Sequence, residues 1–162
     1  LEASDQSLVW QHEFIKHNVI RSNDYYMSCL RENIEGSRLT LLAFIEGILA
    51  GCAHLKYHSD YLHFKENQIP EINDLNVFPE FRRQGIANKL LEEFEIIVSK
   101  QTTQIGIGVG LYKDYGTAQR IYSRRGYIPD GNGIYYKNEL VTPGSMVRVD
   151  DDLNLYMIKD LR

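Results

Sequence analysis

No part of this sequence restricts the fold as much as a basic, glycine-containing segment that runs straight into a long apolar-striped stretch. The segment is Val77-Phe-Pro-Glu-Phe-Arg-Arg-Gln-Gly-Ile-Ala87, and the stretch continues over residues 88–100. It reads as a strand stopped by a proline, a loop, and the first turn of a helix. Ala87, Leu90, Leu91, Phe94, Ile97 and Val98 recur at three- and four-residue steps, so they line one side of that helix. A loop entering a helix there presents several backbone N–H groups with no intrahelical acceptor, and the aligned peptide dipoles add partial positive charge. Gly85 lets a ligand approach the main chain, and Arg82 and Arg83 add formal charge. The combination suits a diphosphate. An ordinary strand-loop-helix connection with a solubilising arginine pair would use the same residue types.

The remaining elements follow from periodicity and punctuation. Residues 4–18 read as a helix, with Ser4 or Asp5 as its cap and Leu8, Val9, Phe14 and Ile15 on its apolar face. Asn23 or Asp24 caps a second helix running to about Asn33. Residues 37–46 and 48–57 are strand-like runs joined at Glu46-Gly47, a hairpin signal. The polar, aromatic stretch 59–70 shows no period and is expected to be a loop. A strand is expected at Glu71–Val77, a helix over 84–100, a strand over 104–111 and a short helix from Gly116 to about Arg125, ended by Gly126. Gly131, Asn132 and Gly133 mark a turn. Two final strands, 134–136 and 153–159, bracket an excursion containing Pro143-Gly144 and Asp150-Asp151-Asp152.

The 162 residues suffice for a hydrophobic core, and no linker or repeat interrupts them, so a single domain over 1–162 is expected. The class is α/β (α+β), a mixed sheet with helices. A net charge of −4 argues against a nucleic-acid binder that relies on bulk positive charge. No apolar run has the length of a membrane span, since Glu46 and Gly47 break residues 39–50. Cys29 and Cys52 lack metal or redox spacing and read as buried free thiols, which suits a cytoplasmic, reducing setting. The five histidines (12, 17, 54, 58 and 63) are irregularly spaced and form no ligand set, so no metal is expected.

Arg82-x-x-Gly85-x-Ala87, with its Val-x-Pro-Glu-aromatic-Arg lead-in, resembles the Q/R-x-x-G-x-G/A signature of the GNAT superfamily of acyl-CoA-dependent N-acyltransferases. The order of elements is similar too, over nearly the whole chain. The resemblance implies a central mixed, mostly antiparallel sheet flanked by helices, and acetyl-CoA as co-substrate. It implies that Arg82, Arg83, Gln84, Gly85, Ile86, Ala87 and Asn88 hold the coenzyme's pyrophosphate, and that Leu75, Asn76 and Val77 pair with its pantetheine arm. It also implies a leading edge strand, whereas here Leu1 stands almost directly before the first helix signal.

Moving an acyl group from a thioester to an amine requires the amine to lose a proton, the oxyanion to be stabilised and the thiolate to be protonated or otherwise stabilised. Ala118-x-x-x-Tyr122-x-x-x-Gly126-Tyr127 is similar to a family segment whose tyrosine points at the thioester sulfur, which makes Tyr122 the candidate acid. The family often carries Asn three residues before that alanine, and this chain has Tyr115. Several family members place a glutamate early in the strand before the loop, so Glu71 is the first candidate base and Asp74 the second. Strand alternation puts Glu71 and Asp74 on opposite faces unless a bulge intervenes. A buried mid-strand carboxylate such as Asp74 also needs partners or a raised pKa. The oxyanion donors implied by the family are main-chain amides near residues 76–78.

Gly106, Gly108 and Gly110 sit within a strand pattern with no helix opening after them, which excludes a dinucleotide fingerprint and points to close packing or a splayed backbone. Tyr61, Phe64, Tyr135 and Tyr136 are candidates for the wall of an acceptor pocket. The expected activity is N-acetyl transfer from acetyl-CoA to a primary amine, on a small molecule or a peptide, by direct attack in a ternary complex. A GNAT domain using a longer acyl-CoA and a non-catalytic acyl-CoA-binding regulatory module are the alternatives. Neither a nucleic acid nor a membrane is expected as partner, and self-association into a homodimer stays open.

Overall fold

The computed structural model describes residues 1, 2 and 4–162. Among the described residues, five α-helices and seven strands follow one another along the chain. They are α1 (Ser4–Lys16), α2 (Asn23–Glu35), β1 (Arg38–Ile45), β2 (Ile48–Lys56), α3 (Leu62–Glu66), β3 (Glu71–Val77), α4 (Ile86–Ser99), β4 (Gln104–Gly110), α5 (Gly116–Arg124), β5 (Ile128–Tyr136), β6 (Glu139–Leu140) and β7 (Leu153–Asp160). The strands are ordered β1-β2-β3-β4-β7-β5-β6. Antiparallel pairing joins β1–β2, β4–β7, β5–β7 and β5–β6, and β3 runs parallel to β4, so the expected mixed, mostly antiparallel sheet is present. The chain divides into two compact units, Leu1–Tyr57 with Asn73–Phe94, and His58–Ile72 with Glu95–Arg162.

In the first unit, β1 and β2 form the hairpin that Glu46-Gly47 signalled. Both residues adopt positive φ (49° and 81°), the twist that a tight two-residue connection needs. Leu49 through Leu55 are buried without a break, the pattern of a strand covered on both faces. Helices α1 and α2 supply Trp10, Phe14, Tyr26 and Cys29 to a core shared with Leu49, Cys52 and Phe78. Trp10 meets Tyr26 edge-on at 4.8 Å between ring centres. Both cysteines are buried free thiols. Along α4, Leu90 and Leu91 are buried as the stripe predicts, each stabilising the fold by roughly 1.5–3 kcal/mol relative to exposure. The helix begins at Ile86 rather than at Gln84, because Gly85 still holds a left-handed φ of 84°.

The second unit corrects the reading of 59–70 as a loop. Leu62–Glu66 form a short helix whose one buried side chain, Phe64, packs against β4 at Gly106, where any Cβ would come within 2.2 Å of the ring. Helix periodicity is invisible over five residues, so the glycine was the better clue. Gly108 and Gly110 likewise lie against Tyr156 and Tyr115, which makes the three alternating glycines seats for aromatic rings. Strand β5 begins earlier than expected, at Ile128, and shifts register between Pro129 and Ile134, around the Gly131–Gly133 turn signal. Strand β6 was not anticipated. At two exposed residues it leaves no pattern to read.

Candidate active site

The proposed cofactor loop belongs wholly to the first unit. Phe78 ends the strand region by donating its N–H to Ala50 O at 3.0 Å, and Pro79–Phe81 form a single 3-10 turn. Arg83 (φ 63°) and Gly85 (φ 84°) then bend the chain through two left-handed residues into α4. The first helical bond runs from Lys89 N–H to Gly85 O at 3.0 Å, so the amides of residues 85–88 precede the ladder. Arg82, Arg83, Gln84, Gly85 and Asn88 are exposed, Ala87 is half-buried, and Ile86 is buried as the helix's anchor. A Cβ at Gly85 would meet nothing within 4 Å, so the protein leaves room beside that backbone. Arg82 Nε donates to Val77 O at 3.1 Å and Gln84 Nε2 to Glu80 O at 3.2 Å, tying the loop to itself.

A residue just past the end of α1, one that sequence reasoning had set aside, fastens the same loop. The His17 ring stacks on Phe78 at 4.1 Å, nearly coplanar at 7°. Its Nε2 lies 2.8 Å from Glu80 Oε1, and its Nδ1 lies 2.8 Å from Glu13 O. A histidine 61 positions before the loop gives no local signal of this role.

Asp74 sits in mid-strand with a φ of 47°, a left-handed kink inside β3. The alternation expected from Glu71 to Val77 therefore stops at Asp74, for which the left-handed region is less costly than for most residues. Its carboxylate accepts hydrogen bonds from Tyr25 Oη, from Arg21 Nη2 at 2.8 Å and from Asn76 Nδ2 at 2.9 Å. Burial would raise its pKa, but the Tyr25 hydrogen bond and the Arg21 charge outweigh burial and hold the carboxyl below its ordinary range. Leu75, Asn76 and Val77, the expected pantetheine partners, are half-buried beyond the kink.

Behind Asp74 lies a buried polar chain. His54 has no exposed surface. Its Nδ1 faces Thr40 Oγ1 at 2.7 Å and its Nε2 faces Tyr25 Oη at 3.1 Å. Since Tyr25 gives its single proton to a carboxylate, His54 Nε2 must be the donor to Tyr25, and Nδ1 must accept from Thr40. Burial pushes the His54 pKa down to about 3, so the ring stays neutral.

Glu71 and Tyr122 belong to the second unit. Glu71 opens β3, paired in register with Gly106, and is 8% exposed. It accepts a hydrogen bond from Ser59 Oγ, which itself accepts Tyr61 N–H at 3.0 Å. Tyr122 is buried on α5, and burial pushes its pKa up to about 12, so the phenol keeps its proton. Two features fix that helix: Gly126 follows it at φ 90°, and Arg125 grips Glu95 of α4 through Nε (3.1 Å) and Nη2 (2.7 Å). Tyr115, where the family often has Asn, donates its hydroxyl to Asp151 at 2.9 Å.

The acceptor wall expected from aromatic residues is revised. Tyr61 and Phe64 are fully buried in a cluster with Ile69 and Tyr156, and Tyr61 stacks on Tyr156 at 3.8 Å. They are core, leaving half-buried Tyr135 and Tyr136. Among the described residues no group of His, Cys, Asp and Glu is arranged to hold a metal ion, and no helix is long and apolar enough to cross a membrane.

Comparison with known proteins gives one consistent family. The family profile described as an acetyltransferase (GNAT) domain matches residues 4–146. No curated protein sequence matches the chain. Among solved structures, one described as a GNAT-family acetyltransferase from Desulfovibrio desulfuricans aligns with a TM-score of 0.72 at 12% identity, covering 100% of this chain and 96% of that one. The ribosomal-protein-S18-alanine N-acetyltransferase from Escherichia coli aligns at 0.68 and 14%, covering 98% and 90%. An aminoglycoside 6′-acetyltransferase type Ii aligns at 0.58 and 18%, covering 96% and 84%. At such identities the likeness is one of fold.

Proposed function

The chain belongs to the GNAT acetyltransferase family, and on that premise we propose that it moves the acetyl group of acetyl-CoA to a primary amine by direct attack in a ternary complex. The observation that carries the reading is the start of α4. Four ladder-free amides at 85–88, a left-handed Gly85 with open space beside it and two exposed arginines suit a pyrophosphate. Beyond the Asp74 kink, the main chain of residues 75–77 pairs with the pantetheine arm.

Glu71 takes the proton from the acceptor ammonium, directly or through water. The freed amine nitrogen attacks the thioester carbon, main-chain amides near residues 76–78 stabilise the oxyanion, and as the C–S bond breaks the nitrogen gives up its second proton, which ends on the coenzyme's sulfur. Tyr122 hydrogen-bonds the departing sulfur. With its pKa raised to about 12, the phenol gains little by giving up its proton outright, so it serves first as a donor that stabilises the thiolate. Asp74, tied to Arg21 and Tyr25, is too well stabilised as an anion to be the better base. The acceptor is a small-molecule or peptide amine, as the fold neighbours that act on ribosomal protein and on aminoglycosides illustrate. Two buried free thiols suit a cytoplasmic location.

Calorimetric titration with acetyl-CoA, followed by thiol release across a panel of amines, tests the proposal. Binding with amine-dependent thiol release is expected. Binding without release from any amine would favour a regulatory module. Gly85→Glu, which places an anion where the pyrophosphate is expected and forces a left-handed φ on a side chain, should abolish acetyl-CoA binding. Tight binding by that variant would put the phosphate site elsewhere.

A further inference from the structure

The kink at Asp74 puts a residue with a side chain in a sparsely populated backbone region, and such a conformation persists only if its surroundings fix it. What fixes it is a hydrogen-bonded chain that threads four elements of the first unit. Asn33 Nδ2 of α2 donates to Thr40 Oγ1 of β1 at 2.8 Å, and Thr40 donates to His54 Nδ1 of β2. His54 Nε2 donates to Tyr25 Oη of α2, and Tyr25 donates to Asp74 of β3. Arg21 closes the other carboxylate oxygen and lies over the Tyr25 ring at 5.6 Å. Each proton has one place to go, so the chain has one direction, ending on Asp74.

The consequence appears two residues on. Asn76 Nδ2 binds both Asp74 Oδ1 and Asp74 O at 2.9 Å, folding the strand onto its own kink. The Asn76 carbonyl oxygen lies so close to β2 that a Cβ at Gly51 would come within 2.6 Å of it. In a trans peptide the Val77 N–H is directed opposite to that carbonyl, hence away from β2. The kink and the glycine together orient the peptide group that the transferase reading assigns to the acyl-pantetheine arm.

We propose that Tyr25, backed by His54, Thr40 and Asn33 and joined by Arg21, is a positioning set that holds the Asp74 kink and thereby aims the peptide group between Asn76 and Val77 at acetyl-CoA. The inference rests on the acetyltransferase reading of the site. None of these side chains needs to touch the reacting atoms. Asp74 acts through geometry, so what matters at that position is tolerance of a left-handed backbone and an oxygen that Tyr25 can reach.

The test compares Tyr25→Phe, Asp74→Asn and Asp74→Ala with the wild type, reading acetyl-CoA affinity by calorimetry and then kcat, KM and their pH profiles with an amine that turns over. Asparagine tolerates the left-handed region and keeps an oxygen for Tyr25, but its NH2 replaces the oxygen that Arg21 and Asn76 donate to, so Asp74→Asn should lose clearly less than Asp74→Ala, about tenfold in kcat. Asp74→Ala should lose about a hundredfold in kcat/KM for acetyl-CoA, and Tyr25→Phe about tenfold, with the amine KM and the pH profile unmoved. Far-ultraviolet circular dichroism at the assay temperature confirms that each variant is folded, and if Tyr25→Phe is not, the two Asp74 variants decide.

Unchanged acetyl-CoA affinity and turnover in Tyr25→Phe would overturn the inference while leaving the transferase reading intact. An Asp74→Asn as inactive as Asp74→Ala, with the acid limb of its pH profile displaced, would overturn it by making Asp74 the proton acceptor. A wild type that binds no acetyl-CoA would overturn the transferase reading, and this inference with it.

Discussion

Glu71 and Asp74 stand three residues apart on one strand and are treated in opposite ways. Glu71 opens β3 where the ladder is regular, opposite Gly106, and accepts a hydrogen bond from the hydroxyl of Ser59. Asp74 interrupts the strand with a left-handed φ, and its donors include a guanidinium and a phenol that no other group lets turn away. A carboxylate surrounded by charged and committed donors is stabilised as the anion, which weakens it as a base. The proposed function accordingly uses the same side-chain chemistry as a structural fastener at Asp74 and as a reagent at Glu71.

The contrast breaks most clearly at the first position. Glu71→Gln keeps the side chain's shape and its ability to accept from Ser59, but cannot take a proton. It should lower kcat by about 10²–10⁴-fold, the usual span for a lost general base, and leave acetyl-CoA affinity unchanged. Steady-state kinetics with calorimetry checks both halves. A loss under about threefold would mean that protons leave the amine by another route. A smaller effect is expected one residue further out. Ser59→Ala removes the hydroxyl that orients Glu71 and that accepts Tyr61 N–H, and should lower kcat by about tenfold, the worth of one hydrogen bond of ~1.4 kcal/mol. If Ser59→Ala turned over like the wild type, Glu71 would be held by something other than its hydroxyl partner.

How far these roles were legible depends on whether they are written locally. The proposed cofactor loop is a short run whose glycine, arginines and apolar stripe declare a backbone geometry, and the structure has a left-handed bend and amides outside the helical ladder along that run. The Glu46-Gly47 hairpin and the Gly126 helix end were legible for the same reason. The fastening of the loop by His17 and the chain from Asn33 through Thr40, His54 and Tyr25 to Asp74 were not. Their members are tens of residues apart, and each looks ordinary in its own window. His54 fell within a strand run that is mostly apolar ahead of Lys56, where a lone histidine reads equally well as packing. The Asp74 kink was hidden too, because its cause is the set of partners rather than the tetrapeptide around it. Helix α3 failed for want of length, although Gly106 opposite Phe64 carried the information.

The smallest effect sharpens the other side of the contrast, since a fastener should show itself in stability rather than in turnover. His54 is held neutral by burial, with its pKa lowered to about 3 from an ordinary 6.5. As pH falls through 6.5, the unfolded chain takes up a proton at this residue and the folded one does not, so folding stability declines from there until the pH approaches 3. The depressed Asp74 carboxyl works in the same direction at lower pH: the stability it contributes is present above the ordinary carboxylate range and is lost as pH falls through its folded value. In the window between the two, from about pH 6 to pH 4, His54 alone should lower the unfolding free energy by ~1.4 kcal/mol per pH unit, the linkage of one proton. Urea titrations of wild type and His54→Gln at half-unit steps isolate this slope, because the other titrating groups cancel in the difference. A variant less stable at pH 7 but flatter toward acid is the expected result. Parallel slopes would mean that His54 is already protonated inside the fold, in which case Nδ1 would donate to Thr40 and that one link would reverse, while Nε2 would still donate to Tyr25 and Tyr25 to Asp74.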